Sequence, residues 1–67
     1  MSDLLIIGSG LIGTSIGLAL RDAGGWDVMI TDRDPARVDL ARDRGAGRRW
    51  DGREPAAIVL VAAPTFA

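Results

Sequence analysis

The chain has no cysteine and no histidine. The first absence excludes a disulfide framework and thiolate metal sites. The second removes the commonest general base and the commonest metal ligand. Lysine is missing too: all eight cations are arginine, set among nine acidic residues for a net charge of -1. That balance leaves no basic stripe for nucleic acid and no basic amphipathic face for a membrane. The longest unbroken apolar run, residues 56–63, is too short to cross a bilayer. Met1-Ser2-Asp3 lacks the positive start of a signal peptide, so a cytoplasmic, reducing location is the expectation. With 67 residues, the chain amounts to one small domain or part of one, with a modest core.

What is present is glycine in a particular pattern. Leu4-Leu5-Ile6-Ile7 is a continuous apolar run, which suits a strand covered on both faces, as in a parallel sheet. Gly8 and Gly10 then interrupt it, and from Leu11 a helical period takes over. Ile12, Ile16, Ala19, Leu20 and Ala23 share one side of that helix, with Gly13 and Gly17 beside them. Glycine inside a helix costs up to roughly 1 kcal/mol against alanine, so both positions point to close approach by a strand or ligand. Gly24-Gly25 ends the helix.

Residues 27–31 alternate and predict a second strand, with Val28 and Ile30 on one face. Asp34 suits an N-cap and Pro35 a first helical residue, for a helix reaching about Arg44 with Val38, Ala41 and Leu40 inward. Gly45 stands where a C-cap glycine belongs. Arg48-Arg49-Trp50 has the length for a short third strand, and Asp51-Gly52 reads as a turn. Residues 57–62 read as another fully buried strand, stopped by Pro64. Trp26 and Trp50 read as core or edge packing. The order β-α-β-α-β-β predicts an α/β fold, a Rossmann-type half of a doubly wound parallel sheet, whose unpaired edges invite association with another chain.

Gly8, Gly10 and Gly13 make a G-x-G-x-x-G between a strand and a helix. Gly8 permits the tight turn, Gly10 lets a pyrophosphate approach the backbone, and Gly13 lets helix and strand pack closely. The unpaired N–H groups of the first turn, around Leu11, Ile12 and Gly13, point at the same spot, where the helix dipole favours an anion. Asp32 lies nineteen residues after Gly13. An acid at that distance suits the adenosine ribose hydroxyls. Its carboxylate argues for NAD over NADP, while Arg33 and Arg37 blur the preference. Thr14 and Ser15 suit phosphate contact or solvent equally. Asp39, Asp43, Asp51 and Glu54 show no spacing for metal or paired acid–base work and read as surface, so no metal is expected.

Gly8-Ser9-Gly10-Leu11-Ile12-Gly13-Thr14-Ser15, followed by Leu18-Ala19-Leu20-Arg21, resembles the opening of the prephenate/arogenate dehydrogenases. Asp32-Arg33-Asp34-Pro35 and the apolar stretch ending Ala62-Ala63-Pro64 resemble that family's next landmarks. The resemblance covers essentially the whole chain. It implies an NAD-dependent oxidative decarboxylation toward tyrosine, with Gly8, Gly10, Leu11, Ile12 and Gly13 lining the pyrophosphate. Asp32 and Arg33 would surround the ribose, and Ala62, Ala63 and Pro64 would lie along the cofactor. Thr14 departs from a commoner glycine, and the segment between Gly45 and Ala57 looks short for a third strand and its helix.

The resemblance also implies a catalytic histidine and a helical substrate and dimerisation domain further along such a protein. This chain contains neither. Residues 1–67 are therefore expected to be a partial NAD(P)-binding Rossmann domain, inactive alone, from a protein whose full-length relatives are homodimers. Two alternatives stay open: a Rossmann unit of another enzyme, of the hydroxy-acid or F420-dependent NADP reductase type, or a non-catalytic nucleotide-binding module.

Overall fold

β-branched and leucine side chains in unbroken runs favour strands buried on both faces, and the chain has two such runs. The computed structural model describes residues 1–8 and 10–62. Its elements follow the order β1 (Ser2–Ile7), α1 (Leu11–Ala23), β2 (Val28–Thr31), α2 (Pro35–Asp43), β3 (Arg48–Arg49) and β4 (Ala56–Val61). All pairings are parallel and the strand order is β3-β2-β1-β4. This is the α/β half-fold expected: a four-stranded parallel sheet with its first three strands joined through helices.

Register sorts the core. Leu4 and Ile6 of β1 align with Val28 and Ile30 of β2, so all four point to one face. There they meet Val38 and Ala41 of α2 and Ala46 in one buried cluster, with Ile16, Leu18, Leu20 and Leu60 against its margin. Leu5 and Met29, also aligned, are buried on the opposite face. β1 starts at Ser2, earlier than the apolar run suggested, because the Ser2 N–H donates to the Pro55 carbonyl at 3.1 Å and Ser2 pairs with Ala56. Backbone pairing takes no account of hydropathy.

α2 is stopped and started as its sequence dictates. The Asp34 carboxylate accepts from the Ala36 N–H at 3.0 Å, Pro35 follows the cap, and Gly45 takes φ +87° after the last turn. Leu40, expected inward, is exposed, because the short helix turns only Val38 and Ala41 to the sheet. α1 corrects the sequence reading more sharply. Its buried residues are Gly13 and Gly17, while Ile12, Ala19 and Ala23 are exposed. The helix lies closest on its glycine side, while Ile16 and Leu20 of the expected face pack partly buried against the core.

Gly17 marks the second point of close approach. A Cβ there would run into the Ala46 carbonyl oxygen and lie 2.9 Å from its carbonyl carbon. The contact is with the loop after α2, whereas a strand or ligand was expected.

β3 comprises Arg48–Arg49, one residue shorter than expected, although the Trp50 N–H still donates to the Ile30 carbonyl at 3.0 Å. From there the chain reaches β4 at the far edge through residues 50–55 alone. Crossovers between parallel strands usually take a dozen residues or more, and commonly a helix. An Asx turn tightens this one: Asp51 accepts from the N–H groups of Arg53 and Glu54, both at 2.8 Å, and Gly52 has φ +86°. Trp50 is half-buried, its indole N–H donating to the Glu54 carbonyl at 2.9 Å, whereas Trp26 is exposed.

Arg48 ties that connection to the sheet. Its guanidinium donates to both Asp27 carboxylate oxygens at 3.0 Å and to Glu54 at 2.7 Å. Asp3 in turn accepts from the Asp27 N–H at 2.8 Å. These groups lie at the N-terminal ends of the strands.

β4 departs from expectation. Residues 57–62 read as buried, yet Ile58 is 51% exposed, Val59 55% and Val61 66%. β4 is an edge strand, and among the described residues no helix follows it to cover either face. Pro64, expected to stop it, lies outside the described residues. No helix among the described residues is long and apolar enough to cross a membrane.

Two outcomes follow. Gly17→Ala gains helix propensity of roughly 1 kcal/mol but must displace backbone, for a net loss of about 1–3 kcal/mol by denaturant unfolding. The second concerns acid. Hydrogen bonds from Arg48 to Asp27, from Arg49 to Asp39, and from the Glu54 and Arg53 N–H groups to Asp51 hold these carboxyls below their ordinary value of 3.8. A depressed native value stabilises the fold above the unfolded value and is lost as pH falls through the native one. The melting temperature should therefore be level from pH 7 to about pH 5 and fall below about pH 4. Arg48→Met should make that acid fall shallower.

Candidate functional site

The ends of β2, β1 and β4 bring the predicted residues to one end of the sheet. Gly8 closes β1 with φ +101°, in the left-handed region that glycine enters freely. Its N–H donates to the Thr31 carbonyl at 2.8 Å, joining the end of β1 to the end of β2, where Asp32 follows. On the other side, the Ala62 N–H donates to the Ile7 carbonyl at 2.8 Å. Gly8, Asp32 and Ala62 thus end three adjacent strands. Ala63 and Pro64 lie outside the described residues.

Each glycine of the motif now has a physical role. At Gly13 a Cβ would run into the Gly8 carbonyl oxygen and press to 3.2 Å from Ile6 Cγ2. Only glycine lets α1 start this close to the strand it leaves. Gly10 differs: a Cβ there meets nothing within 4 Å, and φ of -70° suits any residue. Packing among the described residues therefore gives no reason for glycine at position 10, whereas a ligand approaching the backbone would.

The first turn of α1 is suited to an anion. Gly10 is its N-cap and offers no side-chain hydrogen bond, and no acidic residue stands in the first turn. Such a turn leaves backbone N–H groups facing outward at the positive end of the helix dipole. Leu11 and Ile12, 84% and 67% exposed, flank it. Asp32 is held in place by its own turn, accepting from the Asp34 N–H at 2.9 Å. Arg33, next along, is exposed.

Beside Gly10 the structure opens a cleft of about 280 Å³ between the two helices. Gly10, Leu11 and Thr14 form one wall, and Arg37, Leu40 and Arg44 the other. Sequence reasoning named Arg37 but missed Leu40 and Arg44 as parts of this wall. The seven-residue spacing of Arg37 and Arg44, two turns along one helix face, was the available signal. Among the described residues, no cluster of three or more acidic side chains could hold a metal ion.

The two glycines separate by experiment. Gly13→Ala should cost about 1–3 kcal/mol or abolish folding, because backbone must move. Gly10→Val should cost no more than about 1 kcal/mol, the loss of a favourable N-cap residue. Thermal unfolding followed by circular dichroism reads both.

Against known proteins, 64 residues, 96% of this chain, are 42% identical to a probable prephenate dehydrogenase of Streptomyces niveus, of which they make up 17%. The L-threonine 3-dehydrogenase of Pectobacterium carotovorum subsp. carotovorum is 46% identical over 46 residues, 69% of this chain and 13% of that protein. That of Colwellia psychrerythraea is 43% identical over 49 residues, 73% of this chain and 14% of that protein. No family model matches the chain, and no solved structure matches it. The chain thus spans 17% or less of the length of these relatives. Each of them is a dehydrogenase, and this chain is dehydrogenase-like in sequence with a Rossmann-like α/β half-fold.

Proposed function

We propose that this chain is the dinucleotide-binding portion of a nicotinamide-dependent oxidoreductase. The observation that carries the reading is Gly10, a motif glycine that no packing among the described residues requires, at a helix start with no side-chain cap. Gly8, Gly10, Leu11, Ile12 and Gly13 would hold the pyrophosphate through backbone N–H groups. Asp32, with Arg33 beside it, would accept hydrogen bonds from the adenosine ribose, and Ala62 would lie along the cofactor. When bound, the nicotinamide supplies the hydride chemistry, and the protein's share is to hold and orient it.

The finer reading is a prephenate or arogenate dehydrogenase of tyrosine biosynthesis, working in the cytoplasm with NAD. Support comes from the Leu11-Ile12-Gly13-Thr14-Ser15 sequence and from a match to the Streptomyces niveus protein that takes in 96% of this chain. The threonine dehydrogenase matches support the oxidoreductase class, over 69% and 73% of the chain. The reaction itself needs groups this chain does not have, so the chain should form no NADH from prephenate and NAD. Formation of NADH would overturn its assignment as a binding portion.

Calorimetric titration with NAD and ADP-ribose tests the site directly. Both should bind, and Asp32→Asn should weaken each by about tenfold or more, the worth of hydrogen bonds to a charged group. Gly10→Val should lose binding while keeping its fold. Absence of heat with either ligand, or undiminished binding by a folded Gly10→Val chain, would refute the cradle.

A further inference from the structure

The sheet has two edges, and only one of them is protected. β3 is two residues long, both arginine, and Arg49 reaches back to Asp39 of α2. Short length and charge blunt an edge against further pairing. β4, at the other edge, runs for six residues, and no residue from Pro55 to Ala62 is charged. An exposed, apolar edge of this kind is a template for another strand. We propose that a second copy of this chain pairs with β4, strand against strand and antiparallel, about a two-fold axis at Val59.

The backbone sets which groups are on offer. The Ala62 N–H donates inward to the Ile7 carbonyl, and β4 keeps parallel register with β1 from Ile58 to Val61. Successive residues of a strand turn their N–H and C=O groups to opposite sides. Those of Ala57, Val59 and Val61 therefore turn outward, and among the described residues no strand lies beyond them. An antiparallel copy centred on Val59 meets all three. Val59 then faces its own counterpart and Ala57 faces Val61, each as a hydrogen-bonded pair.

The side chains fit the same register. Residues directly opposite in an antiparallel pair share a face of the sheet and stabilise it when β-branched. On one face Val59 meets Val59, and small Ala57 leaves room for Val61. On the other face Ile58 meets Leu60. Ile58, Val59 and Val61 are each more than half exposed in a single copy, so pairing covers apolar surface on both faces. It also brings no like charges together. Read backwards, β4 is thus complementary to itself, as an isologous two-fold contact requires. The remaining edge of each copy is β3, short and charged, so growth stops at two.

Six paired residues span about 20 Å, and the area they cover falls well short of the ~800 Å² per partner of stable complexes. The dimer is therefore weak and reversible. Sedimentation velocity from about 5 µM to about 1 mM should follow one copy becoming two, half-associated at about 100 µM. Val59→Lys sets two cations opposite each other at the axis, so it should stay monomeric throughout, with its fold verified by circular dichroism. Oxidative cross-linking reads the register separately. The chain has no cysteine of its own, and Cα atoms of a hydrogen-bonded pair lie about 5.5 Å apart, within disulfide reach. Val59→Cys should cross-link readily, and Val61→Cys, which faces Ala57, far more slowly. A chain still monomeric at the highest concentration leaves β4 to some other occupant and overturns the pairing. So do assembly beyond two copies, a folded Val59→Lys chain that still dimerises, and equal cross-linking at the two positions.

Discussion

The start of α1 touches the end of β1, and most of the structure depends on that contact. Gly13 sits against the Gly8 carbonyl with no room for a Cβ. Gly8 itself takes a left-handed conformation and donates to Thr31, which binds β2 at the same point. One turn later Gly17 makes a second contact of this kind with Ala46, drawing the α2–β3 loop under the helix. Two internal glycines are costly in a helix taken alone. Here they set how near α1 lies to the sheet, and so where its N-terminal N–H groups point.

The two ends of the sheet are organised by different physics. At the N-terminal ends of β1 and β2, Arg48 engages Asp27 and Glu54, and Asp3 caps the Asp27 N–H. That network lets residues 50–55 cross from β3 to β4 without a helix. At the opposite end the strands finish in glycine, Asp32 and Ala62, and the nearby arginines face a cleft. One end satisfies its charges within the protein. At the other, Asp32 and Asp34 accept from backbone N–H groups of the β2–α2 turn.

Much of this was legible in the residues. Asp34-Pro35 as a cap, Gly45 as a helix stop and Asp51-Gly52 as a turn are local chemistry, and the structure has each. The glycine motif and Asp32 were legible because spacing along the chain, combined with parallel strands, brings them to one end of the sheet. The inward face of α1 was legible only in part. Hydrophobic periodicity pointed to Ile12, Ile16, Ala19, Leu20 and Ala23; Ile16 and Leu20 do pack against the core, but the closest contacts are made by Gly13 and Gly17, and glycine contributes little to a hydropathy pattern. β4 was misread for a related reason: an apolar strand records what it suits, and its burial depends on which neighbours are present. Arg44 escaped notice because the cleft wall exists only once two helices lie side by side.

Local conformation and strand direction were thus determined by the sequence by itself: where turns and caps fall, which residues alternate, and that the strands run parallel. Only the tertiary structure decided distances between segments far apart in the chain. It showed that Gly13 and Gly17 are required by backbone contact, and that Gly10 meets no such contact among the described residues. It also set Arg37 and Arg44 across a cleft from Gly10. Turns and caps are satisfied by neighbouring residues, whereas steric room and shared clefts depend on segments that meet only when the sheet is assembled.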